Sequence, residues 1–334
     1  MEASTARVES SPGESLREAA RERPAAVAFG VIALMVLALI AAKGLHDVAQ
    51  ASLNGLTLGV IYALGAVGLT LVYGILKLVN FAHGDFLTFG AYMAYMVNVT
   101  WGMPLFAGIF VAMAATAVLG LFLERAMWRP MRSRGAGFLQ LLLMAIGLAF
   151  IIRSTIQWFW GTEIRTLDVN VVDSATFLGL RIGETELMVV LVGLVVLVVT
   201  GLVVRFSLLG KQMRALSDDL ALAETAGIDT RRVILYTWIF SGALAGLAGV
   251  LSGALTNLRP ELGFELLLPI FAAVILGGIG NPFGALVGGL VLGVVIEWST
   301  LVIEPRWKVT VGFVALIIAL VIRPQGIFGK ARAP

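Results

Sequence analysis

The sequence contains no cysteine and only two histidines among its 334 residues. Without cysteine there is no disulfide framework, no thiolate nucleophile and no cysteine-based metal site, and two histidines supply few other ligands. We therefore expect no redox chemistry, no metal site and no cofactor in this chain. The phosphate-binding pattern Gly-x-x-x-x-Gly-Lys-Ser/Thr is also missing, so the chain is predicted to be neither an ATPase nor any other enzyme.

Charged residues are scarce as well, at 13% of the sequence, compared with about 25% in an average soluble protein. Hydrophobic residues make up 59%, and the mean hydropathy is +0.95. A soluble domain of this length cannot bury so much apolar surface, and the excess must face lipid. The sequence pI of about 9.4 does not indicate nucleic acid binding, because no basic surface helix or aromatic stacking motif accompanies the basic residues.

Long uncharged runs predict an all-α polytopic membrane protein. The ten candidate spans are residues 25–42, 49–76, 86–99, 104–123, 138–160, 187–204, 233–256, 266–280, 282–303 and 309–322. Segment 266–280 would extend only about 22 Å as a helix, less than the hydrocarbon core of about 30 Å. Eight crossings are the alternative, if two short segments form one hairpin-like unit. Residues 1–24 are polar and predict a disordered tail, followed by one transmembrane domain over 25–328 and a short tail over 329–334.

Lys and Arg predict the orientation, because positively charged loops stay in the cytoplasm. They concentrate in the N-terminal tail, in segments 125–134 and 205–232, and at the C-terminus. The loop over 161–186 is acidic and suits the outside. Both termini are therefore predicted to be cytoplasmic, which requires an even number of crossings.

The 38 glycines often recur at helical spacing. Small residues at every fourth position allow helix backbones to approach closely in a membrane. Gly246 and Gly249 are predicted to serve such packing. Gly280, Asn281 and Pro282 predict a break between two helices, because proline removes a backbone donor and disfavours helix at the preceding residue.

A polar stretch from Arg214 to Asp229 lies within the third basic segment. Ser217 is predicted to cap a short helix, Asp218 to complement its positive end, and Gly227 to end it in the left-handed conformation. Such a helix between two spans is suited to transmit force from a soluble motor. An ordinary solvated loop helix explains the same pattern.

Another polar element, from Asn80 to Asp85, lies between two apolar runs. If it breaks a helix at membrane depth, the freed backbone groups can bind the charged ends of an amino acid. The ten-crossing count favours a different interpretation, in which Lys77, His83 and Asp85 lie at the cytoplasmic interface. The candidate pathway-lining residues are Asn54, Thr57, Asn80 and His83. Arg153 and Glu297 are interpreted as side chains that snorkel toward an interface.

Three stretches resemble the branched-chain amino acid permeases of ABC importers, of the LivH type. The core Glu224-Thr-Ala-Gly227 is similar to the coupling-loop signature, with Thr225 departing from the fuller Glu-Ala-Ala form. The other two are Asn54 to Leu64 running on to Val79-Asn-Phe-Ala-His-Gly-Asp85, and Leu276-Gly-Gly-Ile-Gly-Asn-Pro-Phe-Gly-Ala285. The resemblance runs in the same order from about residue 48 to Phe328.

This resemblance implies a type II-like permease bundle in a bacterial inner membrane. It also implies a second, LivM-like permease, two LivG/LivF-like ABC ATPase subunits that bind ATP and magnesium, and an extracytoplasmic substrate-binding protein. The implied substrates are branched-chain or related amino acids, with urea, short amides or small carboxylates as the rival class. A stand-alone secondary carrier is the alternative outside the family. The residues implied to couple to the ATPase are Arg214, Ser217, Asp218, Glu224, Ala226 and Gly227.

Overall fold

The computed structural model of the chain describes residues 36–169, 173–177, 179–322 and 325–329. The tail over 1–24, most of the first apolar segment, and residues 330–334 lie outside these ranges. The chain divides after Gln50 into two compact units. In the first unit, residues 36–43 are helical, and Gly44 separates them from the next helix with a φ of +90°.

Helices form most of the described chain. In chain order they are α1 Leu45–Leu76, α2 His83–Tyr95, α3 Leu105–Leu123, α4 Arg129–Ser133, α5 Phe138–Trp160, α6 Glu184–Phe206, α7 Leu208–Asp218, α8 Leu220–Thr225, α9 Thr230–Leu255, α10 Leu262–Gly277, α11 Pro282–Ser299 and α12 Lys308–Ile322. Two π-helical turns, Met96–Thr100 and Glu124–Trp128, extend α2 and join α3 to α4, and a 3₁₀ turn, Pro305–Trp307, precedes α12.

The expected all-α bundle is present, but the structure does not confirm ten crossings. Six helices in the described ranges are long and apolar enough to span a membrane: Leu45–Leu76, Leu105–Ser133, Phe138–Trp160, Glu184–Phe206, Thr230–Leu255 and Pro282–Ser299. The helices α2, α10 and α12 have 13, 16 and 15 residues, which is short for a complete crossing. Every predicted apolar segment from residue 49 onward is thus helical, while the number of complete crossings depends on how the short helices are placed.

A small hairpin interrupts the loop that was predicted over 161–186. Strands β1 Ser174–Phe177 and β2 Leu180–Gly183 pair antiparallel, with Ser174 opposite Gly183 and Phe177 opposite Leu180. Earlier in the same loop, Arg165 forms an antiparallel bridge with Leu258, just after α9. Neither feature was predicted, because such short strands carry almost no alternation of apolar and polar residues in the sequence.

Close backbone contacts hold the second unit together. A methyl group at Gly55 or Gly59 of α1 would collide with the backbone of α11 at Val294 or Leu290. On the other side of the bundle, Gly246 and Gly249 bring α9 against α3 and α2. Without a hydrophobic drive between helices in lipid, such van der Waals contact provides much of the attraction.

One end of the bundle carries α4, α7, α8 and the residue that follows α1, since Lys77 bonds to Ser217 of α7, and residues of α4 and α8 line one cavity. We call it the basic face and define it by Lys77, Arg129, Arg132, Lys211 and Arg214. The opposite face contains the loop over 161–169, the hairpin and the start of α10. The ends of α2 and α5 also lie there, since Arg165 bonds to Tyr95 Oη and to Trp160 O.

Candidate coupling and translocation site

The coupling segment folds as two short helices, α7 and α8, with side-chain caps at each start. Ser207 accepts a hydrogen bond from Gly210 N at the start of α7, and Asp219 accepts one from Leu222 N at the start of α8. Asp229 caps α9 by accepting from Arg232 N. The predicted cap at Ser217 is therefore wrong, because the chain stays helical to Asp218 and turns one residue later.

The other predicted coupling residues have different surroundings. Arg214 donates to the carbonyl oxygens of Val204 and, at 3.2 Å, of Arg205, so it satisfies the end of α6 and fixes α7 against it. Asp218, Glu224 and Ala226 are exposed. Gly227 has a φ of +84°, which is the left-handed end of α8 that the sequence predicted.

Ser217 instead joins α7 to the end of α1. Its Oγ donates to Gly74 O at 3.0 Å, while Lys77 Nζ donates to Gly74 O at 2.7 Å and to Ser217 O at 3.2 Å. We call Gly74, Lys77 and Ser217 the Lys77 clasp. Lys77 ends α1 with a φ of +52°, a conformation that disfavours side chains with a Cβ. The clasp therefore holds the residue at which the chain leaves α1.

After the clasp the chain folds back beside α1. Residues 77–82 are not helical, and His83 Nε2 lies 3.0 Å from Gly65 O. Gly65 is eleven residues before the end of α1, about 16 Å along the helix. Lys77 lies at the basic face, but His83 does not, so the interface interpretation is wrong for His83 and for Asp85 one half-turn later. The alternative, a helix break at depth, agrees with this geometry.

Asp85 pairs with Arg153, so the prediction that Arg153 snorkels toward an interface is wrong. Arg153 Nε lies 3.0 Å from Asp85 Oδ1, and the Asp85 side chain is fully buried. The Arg153 guanidinium also lies 4.6 Å from the ring centroid of Phe264 in α10. The sequence does contain a signal for this pair. Asp85 and Arg153 are isolated opposite charges in apolar segments, and such charges usually pair. Glu297 likewise pairs with Lys308 at 2.5 Å.

Two polar atoms at the break have no hydrogen-bond partner among the described residues, Asn80 Nδ2 and His83 Nδ1. The Asn80 Oδ1 atom accepts from Ala82 N at 3.2 Å. Because a carbonyl only accepts, Nε2 of His83 donates to Gly65 O, and in the neutral ring Nδ1 is then an acceptor. A buried donor and a buried acceptor are therefore available to a ligand or a water at the start of α2.

The structure does not gather all four predicted pathway residues. Thr57 is buried and donates to Leu53 O within α1, and it precedes Gly65 by eight residues, about 12 Å along the helix. Asn54 is exposed and lies nearly one turn further away. Only Asn80 and His83 belong to the break.

The second predicted break separates α10 from α11. Gly280 has a φ of +85° and donates to Thr70 Oγ1 at 3.2 Å. Asn281 caps α11 by accepting from Phe283 N and Gly284 N, and Pro282 is the first residue of the helix. This loop therefore contacts the part of α1 that precedes the Lys77 clasp.

A helical bundle with long apolar spans, a broken helix and charge pairs between its helices defines a multi-pass membrane protein with a polar interior. A family model described as "Branched-chain amino acid transport system / permease component" matches residues 51–320. The chain belongs to this family, which confirms the resemblance found in the sequence. It is accordingly a permease component of a transport system, a role distinct from that of an enzyme.

Individual relatives agree with the family match. The "High-affinity branched-chain amino acid transport system permease protein LivH" of Salmonella typhimurium is 32% identical over 84% of this chain and 95% of its own length. The LivM permease protein of the corresponding system in Escherichia coli is 26% identical over 90% and 75%. Among solved structures, "PsaBC from Streptococcus pneumoniae in complex with Fab" is 15% identical, with a TM-score of 0.46 over 88% of this chain and 98% of that one.

Proposed function

We propose that this permease imports branched-chain amino acids and that α7 and α8 connect it to a separate ATPase subunit. The observation that carries the proposal is the Lys77 clasp, which joins α7 to the end of α1 immediately before the break. A partner that moves α7 would therefore move the residues that lead to Asn80 and His83.

Exposed apolar residues on α8 support docking of a soluble partner. Leu220 and Leu222 are 39% and 67% exposed. Because α8 is too short to cross a membrane and lies outside the apolar spans, these leucines are not explained by contact with lipid in a span. Exposed apolar surface rimmed by polar residues marks interaction sites, and Leu220 and Leu222 lie within four residues of the exposed Glu224. ATP and magnesium would be bound by that partner.

The break suits the passage of a small zwitterion. The start of α2 combines a helix N-terminus with the unpaired Asn80 Nδ2 and His83 Nδ1, and half-helix N-termini favour anionic groups of a substrate. Because Asp85 is neutralised by Arg153, the site carries no strong excess of charge. ATP binding would drive transport by favouring one conformation of the permease over the other.

Further subunits are part of the proposal. The similarity to both LivH and LivM supports pairing with a second permease of related sequence. An extracytoplasmic binding protein would deliver the substrate to the opposite face, and the basic face with both termini would be cytoplasmic in a bacterial inner membrane. Urea, short amides or small carboxylates form the competing substrate class, and a stand-alone carrier is the competing mechanism.

The test replaces the two signature residues of the coupling segment. Glu224→Ala removes the exposed carboxylate, and Gly227→Val forces a β-branched residue into a left-handed conformation. We expect both variants to lose ATP-driven uptake in proteoliposomes that contain the partner subunits, while remaining inserted in the membrane. Glu163→Ala, an exposed carboxylate on the opposite face, is the control. Intact uptake in both coupling variants would contradict the assignment.

A further inference from the structure

A cavity of about 590 Å³ opens on the basic face, between the π-helical turn after α3 and the start of α9. Glu224 of α8 also contributes to its wall. The charged residues that line it are Glu124, Arg125, Arg129, Arg132, Glu224 and Arg231. Such a concentration of arginine is unusual in a chain with so few charges, and neither the clasp nor the break uses it.

The cavity keeps an excess of positive charge. Arg132 pairs with the buried carboxylate of Glu124, so these two groups neutralise each other and stiffen the wall. Arg125, Arg129 and Arg231 are exposed, and their guanidinium groups make no hydrogen bond or ion pair within the described part of the chain. The only other carboxylate in the lining is Glu224. An anion would therefore find three arginines against one negative charge.

The wall continues into apolar surface that belongs to a membrane span. Val118 and Phe122 of α3 are 63% and 61% exposed. They precede Arg125 by seven and three residues, a spacing that places all three on one side of the helix. A soluble protein bound at the basic face would not reach Val118, because it lies seven residues before Arg125, about 10 Å further along α3 toward the middle of its apolar span. A molecule with both a negative head and apolar chains covers both parts.

We propose that this cavity binds the phosphate headgroup of an anionic phospholipid, whose acyl chains lie along Val118 and Phe122. The guanidinium group matches phosphate geometry in a bidentate manner, and basic pockets between membrane helices on the cytoplasmic side select anionic lipids. The lipid joins α3 to α9 beside Glu224. The cytoplasmic placement of this face rests on the proposed orientation, but lipid binding can be measured without ATP or transport.

The proposal can be tested by native mass spectrometry. The chain is purified together with the subunits that accompany it, delipidated, and then given defined lipids. We expect phosphatidylglycerol to bind at least about tenfold more tightly than phosphatidylcholine with the same acyl chains. The triple variant Arg125→Gln, Arg129→Gln, Arg231→Gln should weaken this binding about a hundredfold, roughly fivefold for each arginine. The control variant Arg134→Gln, Arg205→Gln, Lys211→Gln removes the same charge from exposed positions outside the cavity.

The control variant should keep the tight phosphatidylglycerol site, and equal binding by both triple variants would overturn the proposal. The single variant Arg129→Gln should still bind about fivefold more weakly, which tests the site if the triple variant does not assemble. Displacement of the lipid by an equal concentration of glycerol phosphate would identify a soluble phosphate as the ligand instead. If the cavity triple variant no longer co-purified with the ATPase but still bound phosphatidylglycerol as tightly as the wild type, the cavity would be a docking surface for the ATPase. That result would likewise refute the lipid site.

Discussion

Asp85 and Arg153 are opposite charges from two helices, α2 and α5, and they meet inside the bundle. A lone charge at membrane depth is expensive, whereas a hydrogen-bonded pair is tolerated. The guanidinium is also in contact with Phe264 of α10. Three helices that surround the break are therefore joined by a single side chain.

The stability losses on removing Asp85 and Arg153 should not add. Asp85→Asn leaves Arg153 without its counter-charge and should reduce the free energy of unfolding by about 3 kcal/mol. The double variant Asp85→Asn, Arg153→Gln should lose clearly less than the sum of the single losses, because no unpaired charge remains. Thermal unfolding of the detergent-solubilised protein measures these differences.

Glu265→Gln is the matched control for that cycle. It breaks the Arg259–Glu265 pair, in which both side chains are 50% exposed, and should cost less than about 1 kcal/mol. Additive losses in the Asp85 and Arg153 cycle would show that the two side chains do not stabilise one another.

The Lys77 clasp makes a prediction about coupling. Lys77→Met keeps an unbranched side chain, one atom shorter than lysine, and removes both hydrogen bonds of the ammonium group. We expect ATP-driven uptake to fall several-fold while the ATPase still co-purifies, since the clasp acts behind the docking surface. Arg134→Gln, an exposed charge on the same face outside the clasp, is the control. If Lys77→Met took up substrate as fast as the wild type, the clasp would not transmit movement from the ATPase to the break.

At the scale of elements, α9 depends on glycine to approach its neighbours. A methyl group at Gly249 would collide with the carbonyl oxygen of Leu87 in α2, and one at Gly246 would meet Thr116 and Ala112 in α3. The helix therefore cannot accept even a small side chain at these positions without moving away from α2 or α3.

We expect Gly249→Ala to destabilise the bundle by about 1 to 3 kcal/mol, the usual cost of overpacking. Gly147→Ala is the matched control, because a methyl group at Gly147 in α5 would have no neighbour within 4 Å. That change should raise helix stability by up to about 1 kcal/mol. Thermal midpoints in the same detergent compare the two variants, and equal midpoints would contradict the packing assignment.

At the scale of the whole molecule, the lack of cysteine allows a direct test of topology. Thr162→Cys and Val302→Cys should react with a membrane-impermeant maleimide in intact cells. Thr162 lies in the loop that is predicted to be outside, and Val302 follows the end of α11 that points away from the basic face. A cysteine at Gly135, on the basic face, should react only after the membrane is permeabilised. Labelling of Gly135 in intact cells would reverse the predicted orientation.

Much of the helical architecture could be predicted, because hydropathy depends on each segment alone. The runs from residue 49 onward are helices, and the break at Asn281 and Pro282 is present. The count of crossings could not be predicted, since α2, α10 and α12 are apolar but short. Whether a short apolar helix crosses depends on where its neighbours place it.

At the candidate site, local chemistry was enough to predict Gly227 in its left-handed conformation and the helix break at Asn281 and Pro282. The cap at Asp219 in place of Ser217 could not be predicted, because α7 continues to Asp218 and the Ser217 hydroxyl donates to Gly74 O of α1. The contacts of Asp85 with Arg153 and of Lys77 with Ser217 join residues 68 and 140 positions apart. Composition and spacing carry no information about such distances, because packing of the whole bundle brings these groups together.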